Sequence, residues 1–129
     1  MTTAEIGELG EHLAIRWLRR QGKKVLYRNF SAPGGGEVDI VCRHGQTLVF
    51  AEVKTRTNVA QYRPADAVNA EKRALVQRGA REWLRLLGRP KVAFRFDIIE
   101  VVLTEGRPPH VNVIEHAFEM PEGSLTGRV

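Results

Sequence analysis

Two apolar runs, Glu37–Cys42 and Leu48–Thr55, stand five residues apart and constrain this chain more than any other feature. Both are rich in β-branched and apolar residues, and Arg43-His-Gly-Gln-Thr47 between them is turn-like. They read as the strands of an antiparallel hairpin. Each carries charge where a buried strand should have none: Asp39 in the first, Glu52 and Lys54 in the second. Alternation puts Val38, Ile40 and Cys42 on one face and Asp39 on the other. In the second strand Val49, Ala51 and Val53 share a face opposite Phe50, Glu52 and Lys54. A connecting loop of two or four residues brings Asp39 onto the face of Glu52, so Asp39, Glu52 and Lys54 converge.

The flanking chain completes an α/β pattern. A helix is expected from Ala4 to Gln21, opened by a Thr2–Glu5 capping box and closed at Gly22. Its buried stripe is expected to be Ile6, Leu9, Leu13 and Trp17. Lys24–Asn29 reads as a short strand and Ser31-Ala-Pro-Gly-Gly-Gly36 as a loop. A second helix opens at Pro64 or Asp66 and runs to Leu87, with Val68, Leu75, Val76, Gly79, Trp83 and Leu87 as its apolar face. Val92–Leu103 reads as a long strand and His110–Glu115 as an edge strand. The whole is one domain over residues 1–120, with residues 121–129 a flexible tail.

Convergent carboxylates repel and raise each other's pKa unless a cation lies between them. With only oxygen donors on offer, the natural cation is Mg²⁺ or Mn²⁺. Such an ion binds a phosphodiester oxygen, acidifies a bound water and stabilises the leaving oxygen. Lys54 then orients the water or neutralises charge developing on phosphorus. The competing explanation is a plain cross-strand ion pair. Two more residues are placed to reach the same region. Glu11 flanks the small residues Gly7, Gly10 and Ala14, which let a neighbouring backbone approach. Lys72 falls within the apolar stripe of the second helix, and there it either snorkels to water or delivers charge to a phosphate.

Composition narrows the partner. Residues 1–96 hold 18 basic and 9 acidic side chains, and residues 97–129 hold 2 and 6. A basic body suits a polyanion. Cys42 is the single cysteine, which excludes a disulfide framework or a Cys-rich metal site, and it is expected in the core. The histidines, His12, His44, His110 and His116, lack metal-ligand spacing. No apolar run approaches the length of a membrane span and the first residues do not read as a secretory signal, so no membrane role and a cytoplasmic location are expected.

Gly7-x-x-Gly-Glu-x-x-Ala14, Arg28-Asn29, Gly36-Glu-Val-Asp-Ile-Val41, Phe50-Ala-Glu-Val-Lys-Thr-Arg56, Ala67-Val68, Lys72 and Arg95-Phe-Asp97 occur in this order. Together they resemble the bacterial YraN family, which is similar to the restriction-endonuclease-like, PD-(D/E)xK nucleases, a group that includes archaeal Holliday-junction resolvases. The resemblance covers residues 4–118. It implies an αβββαβ core, with a mixed sheet flanked by helices, and a metal-dependent phosphodiesterase site. Asp39 and Glu52 look like the metal-binding carboxylates, Lys54 like the catalytic lysine, Glu11 like the helical acid of resolvase-type sites and a further metal residue, and Lys72 like an auxiliary base. Val38 replaces the proline of the superfamily's name, and Gln61-Tyr62-Arg63 stands where Phe-Gly is the family pattern. The resulting expectation is a Mg²⁺- or Mn²⁺-dependent endonuclease acting on DNA rather than RNA, including branched or non-duplex DNA. Arg56, Arg63, Lys72 and the basic end of the first helix, Arg16, Arg20 and Lys23, are expected on phosphates. The alternative is a nucleic-acid-binding module on the same fold that does not cut. Two cuts on a symmetric substrate make a homodimer attractive.

Overall fold

The computed structural model describes residues 1–57 and 69–121. The elements are α1 (Thr3–Arg20), β1 (Lys24–Ser31), β2 (Glu37–His44), β3 (Thr47–Arg56), α2 (Ala70–Leu86), β4 (Phe94–Val102) and β5 (His110–Phe118). The strands form one sheet in the order β1-β2-β3-β4-β5. Three contacts are antiparallel, and β3–β4 is parallel, with α2 in the connection. This is the expected α/β fold: a mixed sheet with a helix on each face, consistent with a restriction-endonuclease-like αβββαβ core. Among the described residues no helix is long and apolar enough to cross a membrane.

The two faces have separate cores. Ala14, Ile15 and Leu18 of α1 pack on Ile40, Cys42, Val49, Ala51, Val53, Ile99 and Val101. Val76, Ala80 and Leu84 of α2 pack on Val38, Val41, Leu48, Phe50, Phe96, Ile98 and Phe118. Cys42 is buried as expected, and burial pushes its thiol up to about 11, which leaves it inert.

The expected capping box is present: Glu5 N donates to Thr2 Oγ1, and Thr2 N to Glu5 Oε1. The buried stripe of α1 differs from expectation. Gly10, Ala14, Ile15 and Leu18 face the sheet, and Ile6, Leu9, Leu13 and Trp17 are only half-buried. The reason is steric. A Cβ at Gly10 would overlap the Thr55 hydroxyl, so small residues set the line of closest approach. The same holds for α2, which meets β2 backbone to backbone where Gly36 faces Gly79, a contact with no room for a Cβ. Its buried residues are Val76, Gly79, Ala80 and Leu84, and Leu87 is exposed.

Boundaries also move: β1 runs on to Ser31, β4 starts at Phe94 instead of Val92, and β5 runs on to Phe118. The hairpin strands reach His44 and Thr47, leaving a two-residue turn in which Gly45 takes φ +62°. Polar Arg43 and His44 continue the ladder although they break the apolar pattern. The second helix begins at Ala70, where Asn69 Oδ1 accepts from Lys72 N at 2.9 Å. Pro64, Asp66, Ala67-Val68, Gln61-Tyr62-Arg63 and residues 122–129 lie outside the described residues. Finally, Val38 does not share a face with Ile40 and Cys42; it packs under α2. Strict alternation fails between Val38 and Ile40, in the stretch of β2 that lies opposite Asn29, whose φ of 55° is left-handed.

Candidate metal and phosphate site

The site grows from the place where β2 and β3 part. Their ladder ends at Ile40 and Ala51. Beyond it the Val53 amide donates to Asp39 Oδ2 at 2.9 Å, so a side-chain carboxylate takes over from backbone. This fixes Asp39 in the gap between the strands. Glu52 lies beside it on the α2 face and is 3% exposed. Its Oε2 is 3.2 Å from Lys72 Nζ, and its Oε1 is buried with no hydrogen-bond partner.

The electrostatics follow from that arrangement. Burial, then the Asp39 charge, pushes the Glu52 carboxyl up to about 8, against the opposing pull of Lys72. Burial draws the Lys72 ammonium down, but Glu52, Asp39 and Glu37 together outweigh it and leave the ammonium raised. On the α1 side Glu11 lines a separate hollow with Gly7, Glu8, Arg28 and Asn29 and feels the Asp39 charge from there. Burial and then Asp39 raise its carboxyl, while Arg28, with Nε 3.4 Å from Glu11 Oε1, works against the rise. Arg28 also reaches Glu8 Oε1 at 3.6 Å.

Asp39, Glu52 and Lys72 are thus brought together, while Glu11 feels Asp39 from the α1 side and pairs with Arg28. Lys54 is half-buried at the rim. It lines an open pocket of about 620 Å³ with Lys72, Arg78, Asn69 and Glu71. Arg56 ends β3 on the same strand, and Arg63 lies outside the described residues. The basic end of α1 sits elsewhere. Gly10 meets Thr55 near the end of β3, whereas Lys23 pairs with Glu115 at 3.9 Å toward the start of β4. Arg16 and Arg20 are exposed along that far stretch of the helix. Lys23 is not the exposed phosphate contact the sequence implied. It is 8% exposed, and its ammonium lies 5.6 Å from the Trp17 ring centre.

The donor set suits a hard divalent cation. A buried and a half-buried carboxylate meet, one oxygen of the buried one is unsatisfied, and its carboxyl is raised by burial and then by the neighbouring Asp39 charge. Among the described residues no three His, Cys, Asp or Glu side chains form a preassembled cage. Asp39 and Glu52 are the pair that fits the ion, with Glu11 beyond Asp39.

Two residues escaped the sequence reading. Glu100 is fully buried on β4 in register with Lys54 on the same face; its Oε1 accepts from Asn112 Nδ2 at 3.0 Å, and Oε2 has no partner. The signal was available, because Glu100 interrupts the alternation Phe96-x-Ile98 as Glu52 interrupts its own strand. Arg78 carries no such signal, since an exposed helical arginine looks like any other.

Residues 10–101 match the family model described as "Uncharacterised protein family UPF0102". A UPF0102 protein of Geobacter metallireducens is 40% identical over 115 residues, covering 89% of this chain and 93% of that one. Another from Rhodococcus jostii is 37% identical, covering 88% and 95%. A third, from Caldicellulosiruptor saccharolyticus, is 34% identical, covering 92% of this chain and all of its own.

Proposed function

On the footing that the chain belongs to the uncharacterised family UPF0102, we propose that it is a divalent-metal-dependent endonuclease hydrolysing phosphodiester bonds of DNA, including branched or non-duplex forms. The observation that carries this reading is the buried, unpartnered Glu52 Oε1 beside Asp39. A carboxylate held at such cost beside another is poorly explained as packing, and it is what a Mg²⁺ or Mn²⁺ site requires.

Asp39 and Glu52 would hold the ion, with Glu11 completing the acidic surroundings. When bound, it supplies Lewis-acid activation of water and of the phosphoryl oxygen. The chain's own groups do the rest. The Val53 amide fixes the Asp39 carboxylate, so its orientation does not depend on substrate. Lys54 and Arg78, on the wall of the 620 Å³ pocket, face the anionic backbone and neutralise charge that builds on the phosphoryl oxygens. Hydrolysis forms a phosphorus–oxygen bond from water and breaks one ester bond, the departing oxygen taking a proton.

The Lys72–Glu52 pair at 3.2 Å favours a second reading, a binding module in which this ion pair is purely structural. Incubating labelled duplex, single-stranded, flap, fork and four-way-junction DNA, and RNA, with Mg²⁺, Mn²⁺ or EDTA separates the two. The nuclease reading expects metal-dependent cutting that Lys54→Ala reduces at least ~100-fold. Salt-sensitive binding without cutting in any metal supports the module.

A further inference from the structure

Lys72 holds a position that two ligands would contest. Its ammonium lies on Glu52 Oε2, while its stem borders the same pocket as Lys54 and Arg78. A divalent cation on the Asp39–Glu52 pair would stand within a few ångströms of that ammonium in a buried setting. Repulsion between like charges at such range exceeds the pull of one carboxylate already shared with the ion. Lys72 is about one-third exposed, so its flexible stem lets the ammonium swing outward without unfolding anything. The open volume beside it is the pocket whose other cations are Lys54 and Arg78, with Glu71 and Asn69 also on its wall.

We propose that Lys72 is a displaceable counter-ion that couples two sites: it sits on Glu52 Oε2 when no metal is bound, and metal binding releases it into the Lys54–Arg78 pocket, where it binds a phosphodiester. The inference rests on reading Asp39 and Glu52 as metal carboxylates and adds to it the order in which charge is exchanged. Linkage makes the coupling reciprocal. DNA that draws Lys72 into the pocket also tightens metal binding.

The test reads binding, not cutting. Mn²⁺ affinity is measured by the resonance of the free ion on wild type, Lys72→Met, Lys72→Arg and Arg78→Ala. Affinity for a short labelled duplex is measured in Ca²⁺ and in EDTA. Lys72→Met is expected to bind Mn²⁺ about tenfold more tightly, within the usual range of site-to-site coupling. Competition from a proton on Glu52 does not reverse the sign, because a divalent ion feels the removed charge twice as strongly as a proton does. Lys72→Arg keeps the weaker wild-type affinity. Arg78→Ala lowers DNA affinity both in Ca²⁺ and in EDTA. In wild type Ca²⁺ strengthens DNA binding, and in Lys72→Met that gain is smaller, because only the ion's own contact with phosphate remains. Equal or weaker Mn²⁺ binding by Lys72→Met overturns the proposal, even if wild type cuts DNA. No Mn²⁺ binding by either protein overturns it at its premise. Tighter binding by Lys72→Met in a protein that never cuts supports the coupling and sinks only the nuclease reading.

Discussion

Two clusters of charge among the described residues are built on opposite principles. Under α1, Arg95 and Asp97 form a dry ion pair with Nε–O distances of 3.0 and 3.2 Å. The arginine continues to His44 Nδ1 at 3.1 Å and Glu115 at 3.3 Å, and Asp97 also accepts from His116 N. Under α2, Asp39 and Glu52 lie together with a single ammonium on Glu52, one buried oxygen left over and a carboxyl pushed up to about 8. The first cluster is complete in the free protein. The second leaves a buried oxygen without a partner, the feature on which the proposed metal site rests.

If that contrast is sound, the complete cluster should be the more expensive to break. Arg95→Met strands Asp97, which is 1% exposed, and is expected to cost about 4 kcal/mol in denaturant unfolding. A loss below about 1 kcal/mol would show that the pair is not a structural keystone.

The incomplete cluster makes its own prediction through pH. The Glu52 carboxyl titrates near 8 in the folded chain against a reference of 4.5, so the unfolded state ionises first. Its contribution is fully present below about 4.5 and is lost as pH rises toward 8. Metal-free protein should lose about 3 kcal/mol across that range, and Glu52→Gln should abolish this dependence. Adding Mg²⁺ should recover more stability at pH 8.5 than at pH 5.5, as thermal melts at both values would reveal. A wild-type pH profile matching that of Glu52→Gln would erase the distinction between the clusters.

Gly10→Ala tests how Glu11 is delivered. Overlap with the Thr55 hydroxyl is expected to cost about 2 kcal/mol, with Thr55→Ala restoring most of it in the double variant. Strictly additive losses would show that the contact is not what seats α1. The smallest expected effect is at His44. It is exposed and gives Arg95 one acceptor, so His44→Ala should cost about 1 kcal/mol in the same unfolding assay.

What could be read in advance depended on the kind of signal each residue leaves. The hairpin, the capping box and the α/β order follow from periodicity and short-range chemistry, and all appear. The acids in β2 and β3 were visible because charge interrupts an apolar strand, and Glu100 was legible on the same logic. Helix faces were not. Periodicity weighs hydrophobicity, while the sheet admitted α1 and α2 along their smallest side chains, Gly10, Ala14 and Gly79. The Val38 face was hidden because period-two alternation breaks between Val38 and Ile40, and no residue type in Val38-Asp-Ile40 signals that break. Lys23 looked like surface charge, and only the placement of Glu115 and Trp17 explains its burial.

Gly36 and Gly79 act as a fulcrum. There α2 rests on β2 with no side chain between them, and Lys72 lies seven residues along the helix, a lever arm of about 10 Å. A tilt of about 6° about that contact carries the ammonium about 1 Å, enough to turn a direct ion pair into a lost one. The strength of the site's central electrostatic contact is therefore set mechanically, by two missing methyl groups about two helical turns away from the charges they govern.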